Sequence, residues 1–322
     1  MKIIAQMDEM LNINIATDST FAILLAVQNY GCEIFYYLPK SLYFDLKTNS
    51  VKARTYRISL NKIMGNHCKI LSEQVVDLTT FDAILIRQDP PFDINYITST
   101  YILEKIKDKT LIINDPTNIR NHPEKIFINE FPNLITPTAI TGDFEEVKNF
   151  IYEHQKIVMK PLYSCGGDGV VVLKYGDKNL STMFEMMVSH YQAPVMLQKF
   201  IDEVAIGDKR ILLLDGEPIG ALLRVAKDGD NRCNLHLGGR ANFAELTKRD
   251  LEICNQLSPK LKERGLFLVG IDIIGDYLTE INLTSPTCIN EINQLNGSKI
   301  EDIIVEKIIS KIQLNKKIKN FN

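Results

Sequence analysis

The chain has 322 residues, 45% of them apolar and 24% charged, which is material for two or three packed units and a sizeable core. A formal net charge of −3 leaves no basic footprint for nucleic acid, and no uncharged apolar run is long enough to cross a bilayer. Asp8 and Glu9 break the N-terminus before a signal peptide could form, and six cysteines without a CxxC pair are expected as reduced thiols, so the expectation is a soluble cytoplasmic protein.

Lys2 to Gln6, Ile34 to Leu38 and Ala83 to Ile86 are apolar runs of strand length, and a helical pattern over Ser19 to Asn29, closed by Gly31, separates the first two. Strand, helix, strand at this spacing predicts a βαβ unit in a parallel sheet. After Arg87-Gln88-Asp89-Pro90-Pro91-Phe92-Asp93 the pattern predicts a helix over Ile94 to Lys107, a strand at Leu111 to Ile113, and a turn at Asn114-Asp115-Pro116 that sets a boundary near residue 120. Further on, a helix over Asp143 to His154, capped by Asp143, is followed by strands at Ile157 to Lys160 and Val170 to Leu173. A helix over Ser181 to Ser189 and strands at Val195 to Gln198, Arg210 to Leu214 and Ile219 to Val225 come next. Helices mixed with hairpins predict an α+β region behind an α/β one. Ala226 to Arg240 is polar and aperiodic and reads as a mobile loop; Lys299 to Ile312 reads as an amphipathic helix before a solvated, lysine-rich end.

Two segments carry chemistry. Lys160 opens a loop, Pro161 to Gly169, in which Ser164 and Cys165 precede Gly166 and Gly167, and a strand follows it rather than a helix. This is neither a Walker loop nor a Rossmann fingerprint, but glycine amides can still approach phosphate oxygens, with Lys160 and the upstream Lys125 supplying positive charge. A plain glycine-rich turn explains the same residues. The second segment, Leu268 to Ile292, places Asp272, Glu280 and Asn282 on two strands around Gly275-Asp276. Period 2 puts Glu280 and Asn282 on one face, a seat of hard oxygens suited to magnesium and a bound nucleotide; a half-buried strand wetted on one face is the alternative. For Asp272 to share that face opposite Glu280, the loop is expected to be the odd-numbered Gly275-Asp276-Tyr277. Arg210 and Arg224 are strand arginines in apolar company, which points to an anion or to an internal salt bridge. For Cys165 two readings stand: a thiol drawn toward the thiolate by the loop amides and Lys160, or a buried or unreactive small residue filling a turn.

On Met7-Asp8, Asn12-Ile13-Asn14, the Asp89-Pro90-Pro91-Phe92-Asp93 string, Gly207-Asp208-Lys209-Arg210 and the run from Thr279 to Ile289, the chain resembles the prokaryotic-type glutathione synthetases of the ATP-grasp superfamily over nearly its whole length. The resemblance implies a pre-ATP-grasp domain (1–120), a central ATP-grasp module with the phosphate loop (121–201) and a C-terminal module with the metal site and a lid (202–322). It implies ATP- and Mg²⁺-dependent ligation of glycine to γ-glutamylcysteine through an acyl phosphate, with Mn²⁺ as a substitute metal and a homotetramer as the assembly.

Carried over residue by residue, Asp272, Glu280 and Asn282 are the metal ligands, and Arg210 and Arg224 stabilise the oxyanion. The nucleotide falls to Lys125, Lys160, Ser164, Gly166, Gly167, the Gln198-Lys199-Phe200-Ile201 strand and Asp208. Asn12, Asn14, Ser19 and Arg87 would face the dipeptide, Pro286 and Thr287 the glycine, and Asn234, Gly238, Gly239 and Arg240 lie on the lid. The sequence departs from the family at Cys165, where glycine or methionine is usual, and at Cys233 and His236, which replace small lid residues. The alternatives are another ATP-grasp carboxylate–amine ligase, of the D-alanine:D-alanine or glutamate-adding type, and a nucleotide sensor without turnover. A zinc site on Cys233 and His236 is too short and isolated to support.

Overall fold

The apolar runs of the first 113 residues gather into a seven-stranded sheet. Its strands are β1 (Lys2–Gln6), β2 (Glu33–Tyr37), β3 (Tyr43–Asp45), β4 (Ser50–Leu60), β5 (Cys68–Asp77), β6 (Ala83–Ile86) and β7 (Leu111–Ile113), with helices α1 (Ser19–Asn29) and α2 (Ile94–Glu104). The protein is seen here in a computed structural model that describes residues 1–227, 229 and 232–321. β2, β1, β6 and β7 run parallel, as the βαβ spacing predicts, and their two-sided burial explains why they read as unbroken apolar runs. The sheet then continues antiparallel through β4, which pairs with β2, β3 and β5. The sequence reading has no strands there, because β5 is exposed along most of its length and shows no alternation.

Two short helices, α3 (Pro116–Asn121) and α4 (Glu124–Phe127), lead to a four-stranded sheet of β8 (Thr138–Thr141), β9 (Lys156–Pro161), β10 (Val171–Lys174) and β11 (Val195–Lys199), in the order β10-β9-β11-β8. It is backed by α5 (Phe144–His154), whose Asp143 cap accepts from the Glu145 N–H as expected, and by α6 (Leu180–Tyr191). Ile157 and Met159 of β9 turn into this module's core with Val195 and Leu197, which by period 2 sends Val158 and Lys160 to the opposite face.

The third sheet, of order β14-β13-β12-β15-β16, contains β12 (Asp208–Leu214), β13 (Glu217–Val225), β14 (Arg240–Phe243), β15 (Leu268–Ile274) and β16 (Tyr277–Asn282), with α7 (Lys248–Glu263) between β14 and β15. One face carries Ile211, Leu213, Ile271, Ile273 and Ile281 and is apolar but for Lys209, which pairs with the buried Asp250 of α7. The other is divided: Leu212, Leu222 and Leu268 cover its apolar end, where α8 (Ile289–Asn296) and α9 (Ile300–Phe321) pack, and charged residues hold the rest. α9 returns to the first sheet. Its Ile304, Ile308 and Ile312 repeat at four-residue spacing and share a core with Ile23 and Val27 of α1, each burial contributing about 2 kcal/mol. The helix also runs past Ile312 through the lysine-rich segment expected as a solvated end.

Candidate functional site

The charged half of the third sheet is a series of directly opposed cross-strand pairs. Asp208 lies opposite Arg224, Arg210 opposite Asp272, and Asp272 opposite Glu280. Residues opposite one another in an antiparallel pair share a face, so five charges from four strands meet on one surface. The expected odd-numbered loop is not what achieves this. Ile274 pairs with Tyr277 around a two-residue Gly275-Asp276 turn, and the register shift between Asp272 and Ile273 leaves Thr279 as the extra residue of a bulge that restores parity. Gly270 supplies the room: a Cβ there would stand 3.3 Å from Arg210 Cδ and 3.2 Å from Pro286.

The arginines meet carboxylates of the same face. Arg210 donates through Nε and Nη2 to the two oxygens of Asp272 at 2.5 and 2.9 Å, and Arg224 grips Asp208 at 2.5 to 2.7 Å while reaching Asp272 at 3.0 Å. Burial raises the Asp272 carboxyl, but Arg210 and Arg224 outweigh it and hold the group well below the ordinary range. Asp208 goes the other way: burial lifts it to about 6 against the pull of Arg224. Of the two readings of these arginines, the internal salt bridge is the one seen, and both residues also line the same cavity. Asn282 donates to Gly270 O and to Asp272 Oδ2, both at 3.3 Å.

Opposite this face stands the glycine-bearing loop. Lys125, on α4, donates to the Ser164 carbonyl and pairs with Glu280 at 3.3 Å; Lys160 reaches the Thr279 carbonyl at 3.4 Å. Burial depresses Lys160 to about 8, though the nearby Glu280 pulls it back up. Gly166 and Gly167 both have positive φ, so the loop turns in a way that side chains resist. The two faces enclose a cavity of about 180 Å³. Its polar wall holds Lys125, Lys160, Ser164, Asp208, Arg210, Arg224, Asp272, Glu280 and Asn282; its apolar wall holds Val158, Val170, Val172, Ile201, Val204 and Ile274. Gln198, Lys199 and Phe200 border it too, and Gln198 donates to Thr138 at 3.1 Å.

Of the residues expected on the lid, Asn234 lines the cavity, and a Cβ on Gly167 would stand 3.4 Å from Arg232 and 3.5 Å from Leu237, so this segment lies against the glycine-bearing loop. Gly238 and Gly239 donate to the carbonyls of Leu235 and Asn234 in a tight turn, and Arg240 begins β14 opposite Val225. Asp228, Asp230 and Asn231 of the expected lid lie outside the described residues.

The residues expected at the dipeptide and glycine are not part of this cavity wall. Arg87 is buried and donates to Thr20 Oγ1 and to the Pro286 carbonyl, both at 3.0 Å, and Ser19 accepts from the Ile289 N–H, so these join the first sheet to the segment after β16. Asn14 caps its own turn through Ala16, and Asn12 borders a separate groove with Asp8 and Gln88. Thr287 Oγ1 contacts Cys288 Sγ at 3.8 Å.

Sequence reasoning missed the valines of the apolar wall, which look like any strand, and Glu124, a half-buried carboxylate beside Lys125 that also borders the cavity and that burial and then Glu280 push upward. Of the two readings of Cys165, the thiolate is the one the surroundings disfavour. The thiol is exposed on the loop, yet the cavity rim withdraws enough water to raise it above the ordinary value against the pull of Lys125, so no thiolate is favoured. No cluster of three His, Cys, Asp or Glu side chains able to hold a metal occurs among the described residues, and the His236 side chain of the zinc alternative lies outside them.

Residues 1–120 match the family model of the prokaryotic glutathione synthetase N-terminal domain, and residues 124–297 that of its ATP-grasp domain. The chain is 48% identical to a glutathione synthetase of Brucella melitensis, spanning 93% of this chain and 96% of that one, and 45% identical to one of Mesorhizobium japonicum, spanning 97% and 99%. Among solved structures it resembles the D-cycloserine synthetase DcsG, with a TM-score of 0.66 at 14% identity over 95% of this chain and 99% of that one. A second likeness is D-alanyl-alanine synthetase A of Vibrio cholerae, with a TM-score of 0.60 at 12% identity over 97% and 98%. At such identities these two speak for the ATP-grasp fold alone.

Proposed function

The chain belongs to the prokaryotic glutathione synthetase family, and on that premise we propose that it joins glycine to γ-glutamylcysteine with cleavage of ATP to ADP and phosphate. The carrying observation is the opposed trio Arg210, Asp272 and Glu280 across from Lys125, Lys160 and the glycine-bearing loop in a chain 48% identical to a glutathione synthetase. In this reading the dipeptide's cysteinyl carboxylate takes the γ-phosphoryl group to form an acyl phosphate, and glycine's amine then displaces phosphate to form the peptide bond.

The chain's own groups serve each step. Val158, Val172 and Ile274 give the base an apolar slot beside Gln198 to Ile201 and Asp208. Lys125, Lys160 and the amides near Gly166 and Gly167 meet the phosphates, displacing the contacts to Ser164 O and Thr279 O. Arg210 and Arg224, held by Asp272 and Asp208, need no reorganisation to face the developing oxyanion. Arg87, Asn12, Asn14 and Ser19 hold the dipeptide side, Pro286 and Thr287 the glycine side, and Asn234, Gly238, Gly239 and Arg240 the lid that keeps water from the acyl phosphate.

Two carboxylates and an amide oxygen, from Asp272, Glu280 and Asn282, fit a cation that completes its shell with phosphate oxygens, so these residues would hold Mg²⁺ or Mn²⁺. When bound, the cation supplies charge neutralisation at the β- and γ-phosphates. We read the chain as three parts, 1–120, 121–201 and 202–322, working as a homo-oligomer in the cytoplasm on small-molecule substrates. The test is release of ADP that requires both γ-glutamylcysteine and glycine, measured with a panel of other amines. Release with D-alanine alone would move the reading to another ATP-grasp ligase.

A further inference from the structure

We propose that Glu124 is a positioning residue that sets the metal-facing strand against the phosphate-binding lysine. The inference rests on the function proposed above. α4 puts Glu124 and Lys125 next to one another, and each ties to a different part of the same strand end. Glu124 Oε1 accepts from the Leu283 N–H at 2.7 Å, the Thr284 N–H at 3.0 Å and the Thr284 hydroxyl at 2.9 Å. These donors follow directly on Asn282, the last residue of β16. Lys125 pairs with Glu280, two residues earlier on that strand.

One short helix thus fixes β16 at two points, with Glu280 and Asn282 between a lysine and a carboxylate. Glu124 is fitted to the task. A carboxylate oxygen can accept three donors, and charge-assisted bonds are roughly twice as strong as neutral ones. Glu124 borders the cavity, but its Oε1 is taken up by the backbone and Thr284, so through that oxygen it acts on Asn282 and Glu280. Second-layer contacts of this kind orient ligands and are felt in metal affinity even though they never touch the ion.

The test is calorimetry of the nonhydrolysable analogue AMP-PNP with and without Mg²⁺, read as the ratio of the two affinities. Glu124→Ala should lower that ratio about tenfold relative to wild type. Glu124→Gln, whose amide oxygen still accepts but carries no charge, should recover part of the loss. An unchanged ratio in both variants, even with a lowered melting temperature, would overturn the inference, as would a loss in Glu124→Gln equal to that in Glu124→Ala, which would point to the charge and not the clasp. If Glu124→Ala does not fold, Thr284→Ala removes one of the three bonds and should lower the ratio about threefold, and no change there overturns it equally. Should wild type show no Mg²⁺ dependence at all, the proposed function itself fails, and that outcome is distinct from the others.

Discussion

Asp272 and Glu280 stand directly opposite one another across β15 and β16 although a two-residue turn joins the strands, because Thr279 is bulged out of the ladder. Deleting Thr279 would remove the bulge yet leave Glu280 opposite Asp272, since Ile273 still pairs with Leu278 and Glu280 becomes the next residue of a regular ladder. Mg²⁺-dependent AMP-PNP binding should therefore be retained in the deletion variant, as in Thr279→Ser. Loss of binding in the deletion variant would mean that the pairing of Glu280 with Asp272 is not enough to set the site.

Glu280→Gln keeps the shape of the side chain and removes one charge beside Lys125. Turnover should fall by at least about 10²-fold while the melting temperature stays near that of wild type, since the residue is only partly buried and lies outside the apolar core. Steady-state kinetics at saturating Mg²⁺, alongside thermal unfolding, checks both halves.

Arg210→Lys should also be poorly tolerated. The guanidinium meets both oxygens of Asp272, a bidentate geometry that an ammonium cannot copy. A fall in kcat of about 10²-fold or more is expected, with circular dichroism unchanged.

Lys160 carries the pH dependence. Burial lowers it to about 8 in the empty site, so above that pH it is increasingly neutral, and phosphate binding must first recover a proton. ATP affinity should therefore weaken as pH rises from 7 to 9, with proton uptake visible in calorimetry in buffers of different ionisation enthalpy. In Lys160→Met the affinity should be low throughout, and this slope should vanish.

Cys165 is the exposed one of the six cysteines, and its thiol is raised rather than lowered. Iodoacetamide should label it slowly at pH 7 and faster as pH rises, and bound ATP should protect it because it borders the cavity. Peptide mapping with and without nucleotide decides this; equal labelling in both states would place Cys165 away from the bound phosphates.

How far these features could be read in the sequence follows from how local their causes are. The βαβ unit, the Asp143 cap and the same-face placement of Glu280 and Asn282 depend on period and on neighbours a few residues away, and each is found. The bulge at Thr279 is not legible, since an extra residue in a ladder is set by the partner strand. Glu124 escapes for the same reason: its partners Leu283 and Thr284 lie 159 and 160 residues on. The β4 and β5 hairpin is missed because β5, exposed along most of its length, has no alternation to display.

Asn114 bears on how separable the parts of this protein are. Its amide nitrogen donates to the carbonyls of Leu268 and Leu283 at 2.8 and 2.9 Å, and its oxygen accepts from the N–H groups of Phe267 and Leu268 at 2.7 and 2.9 Å. A residue at the end of the first sheet thereby completes the backbone of the third, while α9 returns from the far end of the chain to cover α1. Asn114→Ala should cost about 2 to 4 kcal/mol in stability, from buried groups left without partners. Cutting the chain near residue 120 would do the same and more, so the two family segments are expected to be inherited, expressed and lost together: neither is a cassette that a recombination event could lift out intact.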